Sequence, residues 1–221
     1  KILIIKLGAL GDVLRTTSLL TGIKNKYPNS EIYWITKKDA FSLFNNNSLI
    51  EKIIINDNNT LKKIKNIHFD VLINLDEDEE ACKIANQADK SELIGFFIDN
   101  NNKIVPTKTA KEWYDMGILG KKPDNDILKK KNTKTYQKLM SDIIGIDDNY
   151  NSLNFELTKE QIKFARDFKR RYNISENDLV IGLNTGSGER WPSKMLSVDK
   201  TATLADELSK TLNAKILLFG G

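Results

Sequence analysis

Twice along the 221-residue chain, a run of Ile, Val and Leu gives way to a glycine-bearing loop and then to a helical pattern. The first run is Ile2-Leu3-Ile4-Ile5, followed by Lys6-Leu7-Gly8-Ala9-Leu10-Gly11-Asp12-Val13. The second is Leu179-Val180-Ile181-Gly182-Leu183-Asn184, followed by the loop from Thr185 to Lys194. Strands without apolar/polar alternation must bury both faces, which calls for a parallel sheet with helices above and below it. Further strands are predicted at Glu31 to Thr36, Lys52 to Ile55, Asp70 to Leu75 and Leu93 to Ile98. Between them the pattern predicts one helix through Val13, Leu20, Ile23 and Tyr27 that ends at Pro28-Asn29. Helical segments are also predicted around Ala40 to Phe44, near Leu61 to Ile67 and over Glu77 to Ala88. Alternation of this kind specifies an α/β, doubly wound fold.

From Asn100 the pattern changes. Asn100-Asn101-Asn102 predicts a hairpin turn between Gly95–Ile98 and a short strand at Lys103 to Val105, and helices follow from Lys111 to Ile144. Gly145 to Asn154 is polar and turn-rich. Thr158 with Gln161 has the spacing of a capping box, opening a helix from Lys159 to Tyr172. After the second strand and loop, Val198, Ala202, Ala205, Leu208 and Leu212 fall on one helical face, and a last strand runs from Ala214 to Phe219. The expected organisation is a Rossmann-like domain over residues 1–145, a linker over 146–157, and a second Rossmann-like domain beginning at 158. About 60 residues holding one βαβ unit cannot cover both faces of a sheet. The second domain is therefore expected to be incomplete, with the chain continuing past Gly221.

Several functional classes drop out on composition. A single cysteine, Cys82, and a single histidine, His68, exclude a disulfide framework and a Cys/His zinc site, so no metal is expected and a reducing, cytoplasmic setting fits. No apolar run approaches the roughly 18 residues of a membrane span, and no secretory signal is visible, so a soluble protein is expected. The +4 charge comes from 34 basic and 30 acidic residues, and Lys62, Lys63 and Lys65 or Lys129, Lys130 and Lys131 form only short runs. Such runs are solvated faces rather than a nucleic-acid groove. A mildly positive surface suits phosphorylated or lipid-headgroup substrates, and peripheral contact with an anionic membrane stays open.

The two loops hold the candidate chemistry. Gly8 and Gly11 let a ligand approach the backbone, and Asp12 is either a helix N-cap or a carboxylate that takes a proton from an attacking hydroxyl. The spacing is not the G-x-G-x-x-G dinucleotide fingerprint, and no acidic residue ends the second strand to hold a ribose, so nicotinamide binding is not expected. In the second loop Thr185, Gly186, Ser187, Gly188, Arg190 and Lys194 combine hydroxyls, flexible amides and two cations, the groups that hold a diphosphate. Trp191 is read as a core anchor under that loop.

The pair KILIIKLGALGDVLRTTSLL and GLNTGSGERWPSK, followed by AKILLFGG, resembles the heptosyltransferase family, glycosyltransferase family 9, of bacterial lipopolysaccharide synthesis. The resemblance implies a GT-B architecture of two Rossmann-like domains. It also implies inverting transfer of a heptose from an ADP-sugar to a lipid-linked glycan acceptor, without cofactor or essential metal. By motif, Asp12 matches the family's general base, and Lys6, with Gly8 and Gly11, lies on the acceptor side. Thr185, Gly186, Ser187 and Arg190 fall in the donor-diphosphate loop. Glu189 stands where members carry a lysine, so the cation serving the leaving diphosphate falls to Arg190 or Lys194. The competing reading is a non-catalytic nucleotide- or glycan-binding module of the same fold.

Overall fold

Strand β1 (Ile2–Ile5) is hydrogen-bonded on both sides, to β2 (Ile32–Thr36) and to β4 (Phe69–Asn74), each in parallel register. The structure, a computed structural model, describes residues 1–147, 152–186 and 195–220. Beyond β2 lies β3 (Lys52–Ile55), and beyond β4 lie β5 (Lys90–Ile98) and β6 (Ile104–Pro106), giving the order β3-β2-β1-β4-β5-β6. All pairs are parallel except β5 with β6, which form an antiparallel hairpin. This is the strand order of a Rossmann-like sheet. The chain divides into two compact units, Lys1–Thr158 and Lys159–Gly221.

Residues alternate across a strand, so β1 sends Ile2 and Ile4 to one face and Leu3 and Ile5 to the other. The first face packs with Trp34, Phe44, Val71 and Ile73 against helices α1 (Leu10–Thr16) and α2 (Leu19–Lys26). The second packs with Ile35 and Leu72 against α3 (Thr60–Ile64) and α4 (Glu79–Gln87). Helices α5 (Lys111–Met116), α6 (Asp124–Lys131) and α7 (Tyr136–Ile144) follow the hairpin, and Met116, Leu139, Met140 and Ile143 complete the first face.

The single helix predicted to end at Pro28 is two helices. At the break Thr17 and Ser18 turn their hydroxyls back onto the carbonyls of Leu14 and Arg15, at 2.7 and 2.8 Å, offering the backbone an alternative to the helical ladder. Of residues 146–157, expected as a linker, Ile146 and Asn154 pack within the first unit. Ile146 packs against the core, and Asn154 donates its amide to Thr17 Oγ1 and its side chain to Thr21 Oγ1.

In β5, Gly95 has φ +108°, and a Cβ there would lie 1.8 Å from the Asn74 carbonyl oxygen. Only glycine fits this close approach. Beyond it the strand leaves β4 for its partner in the hairpin.

The second unit contains α8 (Lys159–Arg171), β7 (Val180–Asn184), α9 (Val198–Leu212) and β8 (Lys215–Phe219), with β7 and β8 parallel. Its described apolar residues are largely exposed. On α9 the buried residue is Thr201, whereas Val198, expected on the packed face, is 83% exposed. Among the described residues no helix is long and apolar enough to cross a membrane.

Candidate functional site

In the first unit the strand order reverses between β1 and β4, and in open α/β sheets the ligand crevice lies outside the carboxyl ends of the strands at that point. The chain leaves β1 into Lys6 and leaves β4 into Asp76. Parallel register sets Ile5 beside Asn74, which brings the two loops together. Lys6 is only 7% exposed; its ammonium donates to Asp76 Oδ1 at 2.5 Å and to the Leu75 carbonyl at 3.0 Å. The other carboxylate oxygen, Asp76 Oδ2, accepts the amides of Leu7 and of Gly8, the latter at 3.0 Å. A Cβ on Gly8 would sit 3.2 Å from Asp76 Oδ1 and 3.4 Å from Lys6 Nζ, so this glycine keeps the loop tight against the ion pair.

Asn74 anchors the pair from below. Its side chain donates to the Phe96 carbonyl at 2.8 Å and accepts from the Asp76 amide at 3.1 Å, tying β5 to the same network. Burial pulls the Lys6 pKa down most strongly, but the charge of Asp76, joined by Tyr136 and Asp12, outweighs it and the net direction is upward. Lys6 therefore stays a cation inside the protein.

Asp12 is not the helix N-cap. Helix α1 begins at Leu10 with Ala9 in the cap position, so Asp12 falls in the first turn, where its amide donates to the Ala9 carbonyl at 2.8 Å. Its carboxylate, with the side chain 43% exposed, pairs with Arg15 Nη2 at 2.9 Å. Gly11 beside it is exposed, and a Cβ there would meet nothing within 4 Å. The site thus combines a buried, neutralised ion pair with an open rim that holds one carboxylate and bare backbone.

A second carboxylate follows Asp76 in the chain. Glu77 lies one residue past Asp76, and its Oε1 is buried with no hydrogen-bond partner among the described residues. It lies close to Gly117, where a Cβ would be 3.2 Å from each Glu77 oxygen. Burial pushes the Glu77 pKa up to about 7, with Asp76 adding to the rise and Lys6 opposing it. Cys82, buried beneath Asp76, is pushed up to about 12, chiefly by burial, and is no nucleophile near neutral pH.

The second loop is described only at its start. The amide and hydroxyl of Thr185 both donate to the Phe219 carbonyl, at 2.7 and 3.0 Å, and the Gly186 amide donates to Asn184 Oδ1 at 3.1 Å. These donors close the loop onto the end of β8. Ser187, Gly188, Glu189, Arg190, Trp191 and Lys194 lie outside the described residues. Further on, Ser197 caps α9 by accepting from the Lys200 amide. Among the described residues no group of three or more His, Cys, Asp or Glu side chains is placed to hold a metal ion.

The structure places Lys6, Gly8, Gly11 and Asp12 on the loop and first turn that follow β1, at the switch point of the sheet. Sequence reading missed Asp76, Glu77, Arg15 and Tyr136. The signal for Asp76 lay in the strand Asp70 to Leu75, which pairs with β1 in parallel and so ends beside Lys6.

No protein-family model matches the chain, and no curated protein sequence matches it. Solved structures do. One is a glycosyl transferase family 9 protein from Veillonella parvula DSM 2008, with TM-score 0.67 and 21% identity, over 100% of this chain and 62% of that one. A second is the ADP-heptose lipopolysaccharide heptosyltransferase II of E. coli, with TM-score 0.58 and 15% identity, over 100% and 64%. A third is the E. coli heptosyltransferase WaaC with ADP, with TM-score 0.58 and 12% identity, over 100% and 67%. The chain has the GT-B-type α/β fold of these structures and spans less than two thirds of the length of the first two.

Proposed function

We propose that the protein carrying this chain is an inverting glycosyltransferase of family 9. It moves a heptose or related sugar from an ADP-sugar to a lipopolysaccharide-core or similar glycan acceptor, with Asp12 as general base. The observation that carries this reading is the placement of Asp12: an accessible carboxylate on the first turn of α1, beside the open Gly11, at the switch point of the sheet. Whole-chain likeness to heptosyltransferase structures, one of them holding ADP, supports the substrate class.

In this reading Asp12 takes the proton of an acceptor hydroxyl as its oxygen attacks the anomeric carbon. The bond from that carbon to the diphosphate breaks with inversion, and ADP leaves with the electron pair. Lys6, Gly8 and Gly11 shape the acceptor side. Lys6 spends two of its three N–H groups on Asp76 and Leu75, so it acts mainly by holding the loop. On the donor side Thr185 and Gly186 set the turn, while Ser187, Gly188, Arg190 and Lys194 stabilise charge on the departing diphosphate in place of a metal. A cytoplasmic protein, peripheral at the membrane that holds its acceptor, accords with this substrate.

Asp12→Ala in the full-length protein should lower turnover about 10²–10⁴-fold while leaving ADP-sugar affinity near wild type. Product formation and donor titration measure the two. Retention of more than a tenth of the transfer would remove Asp12 from the role of base. Donor binding by the wild type with no glycosylated product would replace the enzyme by a binding module.

A further inference from the structure

Tyr136, the first residue of α7, is joined to α1 by two contacts, although 120 residues separate it from Thr16. Its hydroxyl lies 2.7 Å from Thr16 Oγ1. Thr16 spends its single hydroxyl hydrogen on the Asp12 carbonyl, at 2.6 Å, so Tyr136 must be the donor to Thr16. The Tyr136 ring carries the Arg15 guanidinium, whose Cζ is 3.6 Å from the centroid. Arg15 Nη2 in turn lies 2.9 Å from Asp12 Oδ1. Trp113 from α5 meets the Tyr136 ring edge to face, with centroids 5.6 Å apart at 81°.

An Asp/Arg pair three residues apart on a free helix is weak and holds neither side chain in one rotamer. Here the guanidinium lies against the Tyr136 ring and Arg15 Nε is buried without a hydrogen-bond partner among the described residues, so the side chain is held at its base although 41% of it is exposed. The clamp grips Asp12 at both ends: Arg15 on its carboxylate and Thr16, under Tyr136, on its carbonyl. Nothing in the packing of α1 requires this, since Asp12 and Arg15 lie on its half-buried side while Val13 and Thr16 supply its buried contacts.

We propose that Arg15, stacked on Tyr136, is a positioning residue that holds the Asp12 carboxylate in the orientation from which it takes the acceptor proton. The inference rests on the reading of Asp12 as base and adds two residues, from separate parts of the chain, that act through it. Misplacing a reacting group by about 1 Å costs on the order of 10²-fold in rate.

The test uses the full-length protein, ADP-heptose and a lipopolysaccharide inner-core acceptor, with unfolding midpoints as a check that each variant is folded. Arg15→Lys keeps the charge but loses the planar stack, and Tyr136→Leu removes the platform. Each should lower kcat about 10–100-fold with the KM for ADP-heptose unchanged. Tyr136→Phe keeps the ring and loses only the hydroxyl, so its loss should be intermediate. In an Asp12→Ala background, Arg15→Lys should cost nothing further, because a residue acting only through Asp12 has nothing left to position. Should Tyr136→Leu fail to fold, Arg15→Lys and the double variant decide. An inactive Asp12→Ala together with an Arg15→Lys variant whose kcat stays within twofold of wild type overturns the clamp and leaves the base in place. An active Asp12→Ala overturns the base reading itself.

Discussion

The chain uses one plan twice, strand then glycine loop then helix, and the two copies end in different environments. Strand β1 has a hydrogen-bonded neighbour on each side, and all four of its residues are buried. Among the described residues strand β7 pairs with β8 alone, and exposed residues recur at every second position. The loops differ accordingly. After β1, a carboxylate delivered by β4 gathers the ammonium of Lys6 and the amides of Leu7 and Gly8 in a buried network. After β7, the described part of the loop is closed by the carbonyl of Phe219 at the end of β8. Local sequence sets which element forms, whereas the number of neighbouring strands sets how much of it leaves water. Among the described residues only the first copy thereby makes an ion pair part of its core.

The comparison makes its largest demand on the ion pairs. Asp76→Ala leaves the buried Lys6 ammonium without its counter-charge, and loss of one partner from a buried pair costs about 3–5 kcal/mol, read from chemical unfolding. The matching change in the second unit, Asp178→Ala, removes the carboxylate that receives Lys215 at 2.7 Å near the surface, and the loss should be much smaller than for Asp76→Ala. Equal losses from the two variants would break the contrast.

Next come the strands. Ile4 is 2% exposed and Val180 37% exposed. Ile4→Ala should cost about 2–5 kcal/mol through lost burial and the cavity left behind. In the 221-residue chain, Val180→Ala should cost less than about 1 kcal/mol. Unfolding curves of the two variants against wild type measure both.

The smallest effect is in the pH dependence, where the two regions carry opposite signs. Glu77 has a folded-state pKa raised from the ordinary 4.5 to about 7. Between those values the unfolded chain releases the proton and the folded chain keeps it, so this group's contribution to stability is intact below 4.5 and lost as pH rises to 7. Glu77→Gln should therefore gain on wild type across that window and hold its advantage above it. Asp178, drawn down from 3.8 to about 2 by Lys215 and the Ser175 amide, contributes stability that is present above 3.8 and lost only as pH falls toward 2. Thermal unfolding of wild type, Glu77→Gln and Asp178→Asn from pH 2 to 8 separates the two signs.

Much of the fold was legible because its signals are local. The strands lie within a residue or two of their predicted bounds apart from β5, which starts three residues earlier, and the asparagine turn falls where it was read, with Asn102 at φ 60°. Where prediction and structure part, a short-range competitor or a distant neighbour is responsible. The hydroxyls of Thr17 and Ser18 broke the first helix. Gly95 looked like an ordinary strand residue until the Asn74 carbonyl was placed against it. At the site, the loop carrying Lys6, Gly8, Gly11 and Asp12 could be found from glycine spacing after a strand. The role of Asp12 as a cap or as a free carboxylate depended on where α1 began, which local sequence left open.

By itself, then, the sequence determined the elements, the parallel character of the sheet and the two glycine loops, since each follows from residue periodicity and backbone freedom within a few positions. The tertiary structure alone decided that Lys6 is buried against Asp76, that Asp12 is held by Arg15 on Tyr136, and that Glu77 titrates near neutrality. Each of these depends on charge and burial contributed by residues far away in the chain, and no local pattern encodes which strands or helices will become neighbours.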